Sequence, residues 1–169
     1  MLKRIELLDT LSPAMVEEFR RIPRTTKEVE LIIDSDGGLT RYCKAIVSAL
    51  RQLKDYRVST SATVIGKAQS AAFIILQACD HRRATPSVDL MFHAPGVLRF
   101  GREGEPPFVD ERNPNHEMHL EFLREFSQRT ALPLETLQEW ANQERHFTAN
   151  EALQNCFIDE IVDQGRYEK

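Results

Sequence analysis

The feature that most constrains this chain is a succession of short apolar runs, each stopped by polar or glycine breakers and followed by helical spacing. Val29-Glu30-Leu31-Ile32-Ile33 has the length of a strand and stops at Asp34-Ser35-Asp36-Gly37-Gly38. Ala45, Ile46, Ala49, Leu50 and Leu53 then recur at helical intervals, which predicts a helix with one apolar face. A β-branched run from Val58 to Ile65 follows and stops at Gly66. After it, Ala71 to Ala78 is almost wholly apolar and is expected to be buried on all sides. Leu90-Met91-Phe92 predicts another short strand. Ahead of these lie a strand over Arg4 to Leu8 and a helix opened by Ser12-Pro13 and running to about Arg21. Strand, helix, strand, helix, strand is the order of an α/β layer with mainly parallel strands.

Residues 94 to 114 break this rhythm with Pro95, Gly96, Gly101, Gly104, Pro106, Pro107 and Pro114, predicting a long loop of the kind that carries function. A helix from Asn115 to Arg129 comes next, with Leu120, Leu123 and Phe126 on one stripe, then another from Leu134 to Ala141. Thr148 with Glu151 at the third helical position predicts a capping box. The tail after Gly165 is expected to be loose. No repeat or linker interrupts the chain, so a single domain over 1–169 is expected.

Composition removes several functions. With 22 Lys+Arg against 26 Asp+Glu, the net charge of −4 removes the electrostatic case for nucleic-acid binding. Cys43, Cys79 and Cys156 are an odd number without close spacing, which suggests neither a disulfide framework nor a zinc cluster. No apolar run approaches the roughly 20 residues that span a bilayer, so no membrane role is expected. Met1-Leu2-Lys3-Arg4 leads into a run broken by Glu6 and Asp9, too early for a signal peptide, and a cytoplasmic location is expected.

Three places offer chemistry. Gly37-Gly38 permits backbone conformations closed to other residues, and its amides can converge on an oxygen; it also reads as an ordinary turn. In Gly66-Lys67-Ala68-Gln69-Ser70-Ala71-Ala72, a serine stands where a strand gives way to an apolar helix. Free amides and the macrodipole at a helix start stabilise a nucleophile and the oxyanion it generates. The competing reading is that Ser70 only caps the helix. His93 ends a strand beside the long loop, within reach of a cleft, although lone histidines are more often structural. His116 and His119 lie one turn apart, but with no third ligand at metal-site spacing they read as a solvated helix face. Glycine amides, serine and histidine together need only an acid to follow triad logic, and spacing alone does not choose one.

These segments, in this order, resemble the proteolytic subunit of the Clp protease, ClpP, on the ClpP/crotonase fold. Leu31 to Gly38 resembles the family's strand-plus-glycine segment, Gly66 to Ala72 its nucleophile segment, and Leu90 to Pro95 its histidine segment. Glu144 to Ala152 resembles its acid-to-helix stretch, and Cys156 to Val162 its closing strand. The likeness runs from about residue 4 to 163. It implies a repeated strand-strand-helix spiral with a protruding handle, placed here at the helix Asn115 to Arg129. It also implies a Ser70 nucleophile, a His93 base, an oxyanion hole of the Gly38 and Ala71 amides, and Glu144 where the usual triad has aspartate. His146 and Asn142 stay open as residues facing the site.

The resemblance further implies peptide or unfolded-protein substrates, stacked homo-oligomeric rings and no cofactor. An AAA+ ATPase partner is left open, because the chain starts almost at the first core strand, without the family's N-terminal axial segment. Gln69, Asp36 and the stretch Arg99 to Pro107 depart from the family pattern. The leading expectation is a serine endopeptidase acting through an acyl-enzyme. A non-catalytic ring subunit or scaffold and a crotonase-type acyl-CoA enzyme are the alternatives.

Overall fold

Each apolar run forms the strand or helix its spacing predicts, and the computed structural model describes residues 1–94, 98–99, 108–109 and 115–167. Two compact units result: one is Met1–Met91 with His146–Lys169, the other Phe92–Arg145.

The first unit is built on β1 (Leu2–Thr10), β2 (Glu28–Gly37), β3 (Ser59–Gln69) and β4 (His81–Ala84), connected by α1 (Pro13–Arg20), α2 (Thr40–Asp55) and α3 (Ala71–Ala78). The strands lie parallel in the order β1-β2-β3-β4, and β9 (Glu160–Ile161) closes the far edge parallel to β4. Parallel strands covered by crossover helices explain the near-continuous apolar runs. Val29, Leu31 and Ile33 on β2 are fully buried, as are Phe73, Ile75 and Leu76 on α3. The β3 strand runs through Gly66 instead of stopping there, as the sequence suggested. A Cβ on Gly66 would stand 2.7 Å from the Asp34 carboxyl carbon, and that carboxylate accepts from the Lys67 amide at 3.0 Å. Glycine therefore makes room for a buttress, and the strand continues.

The continuation matters because β3 changes partners along its length. Ser61–Val64 pairs with β4, whereas Lys67–Gln69 pairs with β5 (Asp89–Met91). In turn β5 pairs antiparallel with the short β8 (His146–Phe147), matching Leu90 to Phe147 and Met91 to His146. Phe157 meets the rings of Phe73 and Phe147 edge-on, both at 5.2 Å, tying this end of the sheet to α3. The predicted capping box is present: α6 (Ala149–Gln154) is capped by the Thr148 side chain and Glu151.

The β4 strand was not legible as one, because Asp80-His81-Arg82-Arg83 is a polar run. Arg82 is only 4% exposed. Its guanidinium forks onto Asp159 at 2.6 and 3.0 Å and also donates to the Gln77 side chain and the Cys156 carbonyl. Such a buried cation is tolerated because its donors find partners. Burial raises the Asp159 carboxyl, but the Arg82 hydrogen bonds outweigh it and hold the group below its ordinary range.

The second unit contains β6 (Leu98–Arg99), β7 (Phe108–Val109), α4 (His116–Thr130) and α5 (Leu134–Asn142). The first pair is a small antiparallel ladder. Most of the loop expected over 94 to 114 lies outside the described residues, as does the departing stretch Arg99 to Pro107 beyond Arg99. Ala131 ends α4 in a left-handed conformation, φ 58°. Of the stripe expected on α4, Leu123 and Phe126 are buried, together with Met118, His119 and Phe122, whereas Leu120 is only half-buried. His119 is 5% exposed, so the solvated-face reading of the histidine pair is corrected. Burial first, and then His116 and His93, push its pKa down to about 4. The unit is inserted between Met91 and His146, which are cross-strand partners, so the chain leaves and re-enters the first unit side by side.

Candidate active site

At the end of β3 the chain turns sharply into α3, and Ser70 is the turning residue. Its φ of 54° and ψ of −120° lie where side-chain-bearing residues are rarely found. Holding such a backbone costs on the order of 1–3 kcal/mol and persists only when surroundings impose it. Those surroundings are visible: the Ser70 amide donates to the Met91 carbonyl at 2.8 Å, and its carbonyl accepts from the Ile74 amide at 3.3 Å. Ser70 makes no side-chain cap to the helix, so the reading of this serine as an ordinary cap does not hold. A strand-to-helix elbow that projects a hydroxyl is how other folds present a nucleophilic serine.

Gly37 backs directly onto this elbow. A Cβ there would stand 2.6 Å from the Gln69 carbonyl oxygen, 2.9 Å from the Ala71 amide nitrogen and 3.0 Å from the Ser70 Cβ. Its φ of 92° also suits glycine. The Gly37 amide donates to the Ser35 hydroxyl at 3.1 Å, and its carbonyl accepts from the Leu11 amide at 2.8 Å. Gly38, at φ 150°, lies against Leu11 and Thr10 instead. Ala71 is the first residue of α3, and its N–H is one of those a helix start leaves without an intrahelical acceptor. The first unit thus gathers Gly37, Ser70 and Ala71 about one elbow.

His93 and Glu144 belong to the second unit and lie together there: His93 Nδ1 is 3.4 Å from Glu144 Oε1. That distance is loose for a hydrogen bond but close enough for charge to orient the ring. Glu144 is held at φ 51°, its amide donating to the Ala141 carbonyl at 3.4 Å. With a carboxylate on Nδ1, the opposite ring nitrogen, Nε2, is the one directed elsewhere.

His146, left open as a residue facing the site, has its ring against Asp89. Its Nδ1 lies 2.7 Å from Asp89 Oδ1, and the other Asp89 oxygen accepts from the Gln69 side chain at 2.6 Å. This Gln69–Asp89–His146 chain links β3, β5 and β8, starting from the residue before Ser70. Sequence reasoning missed Asp89, whose one signal was its position at the head of the histidine strand. Asn142 is exposed at the end of α5. Among the described residues no group of His, Cys, Asp and Glu is arranged to hold a metal.

The parallel sheet with its crossover helices is an α/β layer of the ClpP type. The chain matches the Clp protease family over residues 19–165 and belongs to that family. Membership makes it a peptidase by lineage, on the fold the sequence suggested.

Proposed function

We propose that the chain is a serine endopeptidase with Ser70 as nucleophile, His93 as general base, Glu144 as the orienting acid, and Gly38 and Ala71 amides as the oxyanion hole. One observation carries the reading: Ser70 is held at a strained strand-to-helix elbow without serving as that helix's cap. In the proposed reaction, Ser70 Oγ attacks the scissile carbonyl while His93 Nε2 takes its proton. The carbonyl oxygen becomes the oxyanion stabilised by the two backbone amides. The tetrahedral adduct collapses, the C–N bond breaks, and His93 returns the proton to the leaving amine. Water then repeats the sequence on the acyl-enzyme and frees the carboxylate product. Glu144 keeps the Nδ1 proton in place and stabilises the imidazolium; a 3.4 Å approach before substrate binds is compatible with that role.

Peptides or unfolded chains are the proposed substrates, and assembly into rings enclosing the sites is the proposed context, as in the family. A fluorophosphonate probe tests the chemistry. Wild type is expected to label at Ser70 and Ser70→Ala to stay unlabelled. Equal labelling of the two removes Ser70 as nucleophile, and an unreactive wild type leaves the scaffold reading in its place.

A further inference from the structure

The β1 strand forms an edge of the sheet and, among the described residues, pairs only with β2. An open parallel edge offers alternate backbone N–H and C=O groups to a further strand. Which residues offer them follows from the ladder. The Met1 carbonyl accepts from the Lys27 amide at 3.0 Å, so odd-numbered backbone groups of β1 turn toward β2. The even-numbered groups, those of Leu2, Arg4, Glu6 and Leu8, turn outward. Their side chains share one sheet face, and all four are exposed, whereas Ile5 and Leu7 on the opposite face are buried.

We propose that β1 pairs antiparallel with β1 of a second copy, about a two-fold axis at Ile5. An antiparallel neighbour exchanges hydrogen bonds only between residues whose backbone groups face the join, so an even residue must meet an even residue. A two-fold through Arg4 would set Arg4 against itself, and one through Glu6 would set Glu6 against itself. Centred on Ile5, the register puts Arg4 opposite Glu6 of the other copy, twice, and Leu2 opposite Leu8, twice. The outward face, Leu-Arg-Glu-Leu at alternate positions, is therefore complementary to its own reverse. This is the requirement of an isologous interface.

Charged residues on an edge strand ordinarily discourage pairing. Here the same charges select one register. Arg4 already pairs with Glu30 at 2.8 Å, and Glu30 with Arg83 at 3.3 Å. The partner's acid would extend this alternating row, Arg83–Glu30–Arg4, across the join. Leu2 and Leu8, 52% and 37% exposed, would cover each other at its ends.

Cysteine cross-linking in the full chain tests the register, in a Cys156→Ser background because Cys156 is the exposed native thiol while Cys43 and Cys79 are buried. The double variant Leu2→Cys/Leu8→Cys is expected to form a disulfide-linked dimer on mild oxidation, and either single variant is not. The two cysteines of one strand sit roughly 20 Å apart and cannot bridge internally. In parallel, Glu6→Arg sets arginine against arginine at both charged pairs. It is expected to weaken β1-dependent association by about tenfold or more in sedimentation. Mixing it with Arg4→Glu chains is expected to restore that association. No covalent dimer from the double variant, equal dimer from a single variant, or unchanged association of Glu6→Arg overturns the proposal.

Discussion

Ser70→Gly isolates the cost of the elbow. At φ 54° and ψ −120° a side-chain-bearing residue is strained, and glycine is not. Relief of that strain is worth about 1–3 kcal/mol. Against it stands the greater freedom glycine has in the unfolded chain, about 0.5–1 kcal/mol. Ser70→Ala keeps the Cβ and the strain and removes only the hydroxyl, so it is the correct reference. Taking the middle of each range, about 2 against about 0.75 kcal/mol, the difference between the variants is a gain of roughly 1 kcal/mol for glycine. At about 2–4 °C per kcal/mol for a chain of this size, the thermal midpoint rises by roughly 2–4 °C. Urea unfolding and differential scanning calorimetry of both variants measure it. A glycine variant no more stable than the alanine variant refutes the claim that the elbow stores strain. Both variants lack the Ser70 hydroxyl, so its loss does not confuse the comparison.

Gly37→Ala places a methyl 2.9 Å from the Ala71 amide, at a φ of 92°, and is expected to destabilise the fold and abolish fluorophosphonate labelling of Ser70 together. Glu144→Gln is expected to lower kcat by between about tenfold and 10⁴-fold, with the smaller end favoured by the loose contact, while the thermal midpoint barely moves. His119 binds its proton less readily folded, about pH 4, than unfolded, at 6.5, so stability falls as pH drops through that window, by about 3 kcal/mol in all. Urea midpoints measured across it are expected to lose this slope in His119→Gln. Asp159→Asn strands the buried Arg82 and is expected to cost about 3 kcal/mol, the low end for such pairs because Asp159 keeps a third of its side chain in water. The depressed Asp159 carboxyl contributes stability above its unfolded pKa of 3.8 that is lost as pH falls below it, so the wild type's acid limb is expected to flatten in this variant.

Much of the layer was readable because burial on both faces leaves a plain trace. The runs 29–33, 58–65 and 71–78 appear as β2, most of β3 and α3. What escaped were elements whose partners are remote in sequence. Arg82 is buried only because Asp159 meets it 77 residues later, and no local pattern announces that. On α4, Leu123 and Phe126 were read correctly, but the first member of the face was not, because His119, polar in composition, is buried and Leu120 is not. At the site, motif order pointed to Ser70 and His93, but spacing said nothing of backbone conformation. Ser70's positive φ, Gly37 rather than Gly38 against the elbow, and the Gln69–Asp89–His146 chain required coordinates.

The insertion point of the second unit has a consequence for how this chain tolerates change. Met91 and His146 face each other across β5 and β8, so the inserted segment is rooted on neighbouring rungs of one ladder. His93 is the second residue beyond the root on the outgoing side, and Glu144 the second on the returning side. The histidine–carboxylate pair thus sits at the stem of a long excursion. Residues between the two in sequence are expected to tolerate exchange while the ladder keeps the outgoing and returning chain side by side. A graft that shortens the segment between them in sequence is expected to leave both groups attached to the same two neighbouring rungs.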